Sequence, residues 1–251
     1  MKKVMMMRRQ IRYGGTKPSH PYDGVILKLK KSSARQQMMT VYTRQEGILN
    51  VFVDRSRQSR QGYGSLMILG EITFDAVEKN GAYQLTEYEC RSNGAVRKLT
   101  WQVYVYTQIF LEMVLHIMAP HQADEEVYRL LVIYGRAIEI KDPRIVTIIA
   151  GWQLISQAGF YPDVDHVHLY ADSTDNRRQP AWFLSDAAEA GRREITVSES
   201  VRKLWKTILQ YPWGQAATLH ISPHDIDIVE QILYSYFCQC SEKELKSIML
   251  L

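Results

Sequence analysis

Between Tyr22 and about Arg91 hydrophobic and polar positions alternate with period two, the repeat of a strand with one buried face. Val25, Leu27 and Leu29 alternate with Ile26, Lys28 and Lys30. Met39, Val41 and Thr43 alternate with Thr40, Tyr42 and Arg44, and Leu49, Val51 and Val53 with Asn50, Phe52 and Asp54. Gly47 joins the second and third of these runs. Two more, Leu66–Val77 and Ala82–Cys90, meet at Asn80-Gly81, a strong hairpin signal. Five short strands in some seventy residues predict a small closed sheet. A five-stranded OB-type barrel matches that size, and an SH3-like barrel shares the pattern.

Beyond Lys98 the period becomes that of a helix. The run "LTWQVYVYTQIFLEMVLHIM" stops at Pro120. "ADEEVYRLLVIYGRAIEIK" opens on three acidic residues, which suits the helix dipole. "PRIVTIIAGWQLISQAG" has Pro143 in its first turn and Gly159 as its closing cap. "SESVRKLWKTILQ" and "SPHDIDIVEQILYSYFCQC" add two more helices, the second with Ser222 as N-cap. Helices this apolar need partners, so they pack as a bundle. The polar stretch at about 161–196 is long for a plain loop and predicts either an inserted subdomain or a mobile segment. The expected architecture is α+β: a basic flexible extension over 1–21, an OB-type barrel over 22–92 and a helical bundle domain over 98–251.

Charge sharpens this division. Residues 1–61 hold 14 Lys/Arg and 3 Asp/Glu, a net of +11, while 62–251 hold 17 and 24, a net of −7. A basic front end on an acidic body suggests a polyanion-facing surface. No apolar run reaches the ~20 residues of a membrane span. The first residues have too few apolar positions for a secretory signal. Three cysteines, Cys90, Cys238 and Cys240, do not make a disulfide framework, and a reducing compartment fits.

Catalytic motifs are missing: there is no phosphate-binding loop of the Walker type, GxSxG elbow, HExxH pair or Cys-x-x-Cys. His166 and His168 near Asp163, Asp165, Asp172 and Asp175 have a composition that could hold a divalent metal. Alternating polar residues on an exposed strand look the same, so a metal-dependent hydrolase is the weaker reading.

The cations carry the stronger one. The first loop and its flanks provide Lys28, Lys30, Lys31 and Arg35, the next hairpin Arg44, and the segment after the third strand Arg55, Arg57 and Arg60. Tyr42 and Phe52 fall in phase with Arg44 and Asp54, on the expected outer face. Rings interleaved with cations on one face suit base stacking and phosphate contact. If about half of these cations touch phosphates, the log–log salt slope for single strands is about −3. With no base-edge readout, binding is expected to ignore sequence. The competing expectations are a scaffold whose basic barrel takes an acidic protein partner, and a barrel whose Tyr42 and Phe52 pack under the helical body while its cations are merely solvated.

The order of features resembles the RecO family of bacterial recombination mediators. Gly24-Val25-Ile26-Leu27 and Thr43-Arg44-Gln45-Glu46-Gly47 match its first strand and hairpin. Ala158, Gly159, Phe160 and Pro162 match its central "lGy-x-P" helix end, and Lys246-Ser247 a recurring pair near its terminus. The resemblance covers about 22–251 and implies a non-catalytic, cytoplasmic, nucleoid-associated protein. It implies binding of single- and double-stranded DNA, annealing of complementary strands, and action with RecR in helping RecA displace the single-strand-binding protein. It also implies capture of that protein's acidic C-terminal tail by the helical domain. Many members carry a four-cysteine zinc site just after the "Gy-x-P" segment. Here no cysteine lies between Cys90 and Cys238, and Val167 and Tyr170 stand about where the first pair would be. The family zinc site is therefore expected to be absent, and no cofactor is expected.

Overall fold

The computed structural model describes residues 20–54, 66–79, 81–92, 100–171, 182–185, 194–214 and 221–251. The chain divides into two compact units: Met1–Val96 with Pro120–Tyr128, and Arg97–Ala119 with Arg129–Leu251. The short segment Pro120–Tyr128, which periodicity alone places in the helical part, thus belongs with the barrel.

The first unit is built on β1 (His20–Lys31), β2 (Gln36–Thr43), β3 (Gly47–Asp54), β4 (Glu71–Lys79) and β5 (Ala82–Cys90). They form a closed barrel in the order β1-β2-β3-β5-β4. Closure comes from β1 pairing with both β2 and β4, and from a short parallel contact of Val51 and Phe52 with Tyr83 and Gln84. Inside are Tyr22, Ile26, Met39, Val41, Leu49, Val51, Val53, Leu66, Ile72, Phe74 and Ala76. Gly24 lies where β1 pairs on both sides, and a Cβ there would come within 2.5 Å of the Val41 side chain.

Two details depart from simple alternation. First, the β1–β2 register slips between Ile26 and Lys28, so Leu27 is an extra residue. Such a bulge flips the phase. Ile26 therefore points into the barrel, as Leu29 does beyond the bulge, whereas the alternation groups Ile26 with the lysines. Second, the predicted strand from Leu66 does not start until Glu71. Leu66–Gly70 makes a turn that docks on the bulge: Leu69 N–H donates to Ile26 O (2.8 Å) and Ile26 N–H to Gly70 O (3.0 Å).

The second unit holds α1 (Trp101–Ile117), most of α2 (Glu125–Ala137), α3 (Pro143–Gln157), α4 (Glu199–Leu209), α5 (Pro223–Ser241) and a 3-10 helix (Lys246–Leu250). Thr100, Asp142 and Ser198 cap α1, α3 and α4 through their side chains, each accepting an otherwise orphaned N–H. Ser222 occupies the N-cap position of α5 but makes no side-chain cap bond. At the end of α3, Gly159 (φ 93°) donates to Ser156 O and Phe160 to Ile155 O, the Schellman closure. Trp152 and Trp205 fill the centre with ring centroids 4.6 Å apart. Arg144 on α3 binds Glu230 on α5 (Nε–Oε2 2.9 Å), and Tyr234 donates to the same carboxylate (2.9 Å).

In the polar stretch at about 161–196, the described residues form a three-stranded sheet, β7-β6-β8, from His168–Ala171 (β6), Trp182–Ser185 (β7) and Glu194–Ile195 (β8). It is an inserted element rather than a bare loop. Buried Leu169, Tyr170 and Leu184 seat it, and Gln239 of α5 exchanges two bonds with the Leu184 backbone (3.1 and 2.8 Å).

Candidate nucleic-acid interface

Strand register sorts the outer face of the barrel into rows. Lys28 lies opposite Thr40, which lies opposite Asn50. The next row runs Lys30, Met38, Phe52, Gln84. Adjacent strands are about 4.8 Å apart, and Lys28 and Lys30 are separated by about 6.7 Å along β1. Both lysines are exposed, while Met38 and Phe52 are half-buried. Thr40 donates to Asn50 Oδ1 (2.8 Å), which fixes the first row. The Met38 and Phe52 positions thus adjoin two exposed lysine positions on the neighbouring strand.

Two further cations stand at the β1–β2 connection. Lys31 lies opposite Gln37, in the opposite phase to Lys30, and is exposed where β1 ends. Ser33 Oγ accepts from the backbone N–H groups of Arg35 (3.3 Å) and Gln36 (3.0 Å), shaping the loop that presents the exposed Arg35. Among the described residues Lys28, Lys30, Lys31 and Arg35 have no carboxylate partner. Arg55, Arg57 and Arg60 lie outside the described residues.

The other two predicted contacts are placed differently from expectation. Tyr42 has the outer phase but no exposed surface. The segment Pro120–Tyr128 covers it: Tyr42 Oη donates to Asp124 O (3.4 Å) and accepts from Asp124 N–H (3.1 Å). Burial pushes its phenol up to about 12. Tyr42 is therefore not a stacking surface, because a segment some eighty residues away in sequence has taken that place. Arg44 is bound to Glu125 (Nε–Oε2 2.6 Å), a hydrogen bond that holds its guanidinium still more firmly protonated. The covering segment is fixed further by a bridge between Pro120 and Ile48 and by His121 N–H donating to Ile48 O (3.4 Å).

Sequence reasoning passed over Met38 and Gln84 because neither is a ring or a cation, although the β2 alternation does put Met38 in phase with Thr40 and Tyr42. It also passed over Asp124 and Glu125, which only tertiary folding brings to the barrel.

The histidines do not converge. His166 sits in a turn with Nδ1 2.8 Å from Asp163 Oδ2, and His168 on β6 with Nδ1 2.8 Å from Glu194 Oε1. Among the described residues no three His, Cys, Asp or Glu side chains group as metal ligands, and Asp172 and Asp175 lie outside them. In the second unit an open cleft of about 510 Å³ runs along α4, lined by Arg202, Lys203 and Lys206 among others. Arg202 is spent on the carbonyl groups of Val164, Asp165 and Val167, and Lys206 on Asp165. Lys203 is exposed.

Residues 99–248 match the family model described as Recombination protein O C terminal. That span is more than half of the chain. The chain belongs to the RecO family. No curated protein matches it at the same standard. The RecO match covers the helical part, so it identifies the chain as one of a family of recombination and repair mediators while leaving the barrel face to be judged on its own chemistry. Among the described residues no helix is long and apolar enough to cross a membrane.

Proposed function

We propose that this RecO-family chain is a non-catalytic mediator that binds single- and double-stranded DNA on the outer face of its barrel, without reading sequence. In this reading it anneals complementary strands and acts with RecR to let RecA replace the single-strand-binding protein, in the bacterial cytoplasm and without bound zinc. One observation carries the DNA-binding part: Lys28 and Lys30, exposed and without carboxylate partners among the described residues, stand on β1 to one side of the half-buried Met38–Phe52 pair. Cations beside an aromatic side chain offer phosphate contact and base stacking together. This reading assigns only phosphate contact and stacking, so binding is expected to be indifferent to sequence.

Annealing and the protein partners rest on family membership. For the acidic tail of the single-strand-binding protein we assign the α4 cleft, where Lys203 is exposed. The deciding experiment follows annealing of complementary strands coated with single-strand-binding protein, with and without this chain. Faster annealing is expected. A parallel titration with an acidic peptide and with oligonucleotides of increasing length separates the rival scaffold function, which predicts peptide binding and no length-dependent DNA binding.

A further inference from the structure

Arg44 and Glu125 are 81 positions apart in sequence and meet at 2.6 Å. Glu125 belongs to the acidic run Asp124-Glu125-Glu126 at the start of α2. The Asp124 carboxylate is spent on the helix itself, accepting from Glu126 N–H (2.8 Å) and Val127 N–H (3.0 Å). The Glu125 carboxylate instead reaches back to the barrel and engages the cation at the end of β2.

We propose that Glu125 is an internal stand-in for a DNA phosphate, occupying Arg44 until a phosphate displaces it. The proposal rests on the DNA-binding reading above and adds a contact that the resting protein withholds. A carboxylate and a phosphodiester both offer anionic oxygens to a guanidinium, so one can replace the other. The exchange is easy because the pair is exposed, with side-chain accessibilities of 49% and 36%, and such pairs are held weakly. Tyr42 stays buried throughout. Arg44 follows β2 in the turn before β3, about 20 Å along the chain from Met38, so its release adds one cation beyond the covered Tyr42.

The test measures affinity for a single-stranded oligonucleotide as a function of salt, using the full chain as wild type, Glu125→Gln, Arg44→Ala and the double variant. Glu125→Gln is expected to bind severalfold tighter at low salt, with a log–log slope steeper by about 0.7, the value of one added phosphate contact on a single strand. Arg44→Ala is expected to be nearly silent in the wild-type background and to abolish the gain in the Glu125→Gln background. An unchanged slope in Glu125→Gln, or an equal cost of Arg44→Ala in both backgrounds, overturns the proposal while leaving DNA binding intact. If no variant binds the oligonucleotide, the DNA-binding reading itself fails, and this proposal with it.

Discussion

Met38 and Tyr42 stand four residues apart on β2 with side chains on the same outer face. Yet Met38 is half-buried beside Phe52, and Tyr42 has no exposed surface at all. The cations nearby divide in the same way. Lys28 and Lys30, opposite Thr40 and Met38, have no carboxylate partner among the described residues, whereas Arg44 is held by Glu125. One end of the face keeps its lysines exposed, and the other is an internal packing surface. What separates them is a nine-residue segment, Pro120–Tyr128, that returns to the barrel. Chemical type and strand phase are the same at both ends, so neither predicts which rings and charges are free.

That comparison can be broken most directly at Gly47. Its φ is 70°, and a methyl there would lie 2.2 Å from the Gln122 carbonyl oxygen. Gly47→Ala thus combines backbone strain with overpacking against the covering segment, and is expected to cost about 2–4 kcal/mol. Urea unfolding checks this. A loss under about 1 kcal/mol would mean that the segment sits loosely on the barrel.

Charge reversal at the open end comes next. Lys28→Glu with Lys30→Glu is expected to weaken oligonucleotide binding about a hundredfold at low salt and to flatten the slope by about 1.4, the share of two phosphates. Fluorescence anisotropy across a salt series measures both. Unchanged binding removes the outer face as the DNA surface.

Phe52→Ala separates stacking from charge. Stacking on one ring is worth roughly 1–3 kcal/mol per base and needs an unpaired base. Affinity for single strands is therefore expected to fall about tenfold or more, with duplex affinity nearly unchanged. Equal losses for both would make Phe52 a packing residue.

The smallest effect is at the covered end. The Tyr42 phenol titrates near 12 in the folded chain, against about 10 in an unfolded one. Between those values the native state keeps a proton that the unfolded state has lost, so stability falls as pH rises through that window and is fully present below it. Tyr42→Phe is expected to make this fall shallower without altering DNA affinity. Urea midpoints at three alkaline pH values test the first point. A weaker DNA complex would contradict the second.

Much of the fold was legible in the chain. Period-two alternation marked the strands of a closed barrel, because a residue facing a small sealed core must be apolar whatever lies elsewhere. Turn glycines such as Gly81 and Gly159 marked ends, because both take the left-handed backbone that a tight reversal needs, whereas the side-chain caps of Asp142 and Ser198 emerged only in the structure. The bulge at Leu27 was not legible, since it is stabilised by Leu69 and Gly70 from another part of the barrel. Nor was the small β7-β6-β8 sheet, whose strands are too short to show a period and are fixed by Gln239 from α5.

The candidate site divides along the same line. The exposure of Lys28 and Lys30 and the outer phase of Phe52 follow from local alternation, which the chain carries by itself. Whether Tyr42 and Arg44 share that exposure was settled by Asp124 and Glu125, some eighty positions away. Local sequence specifies which way a side chain points, because that depends on the pleat of its own strand. Only the tertiary fold decides what meets it there, because the partner is brought by chain closure over a distance that no short-range pattern encodes.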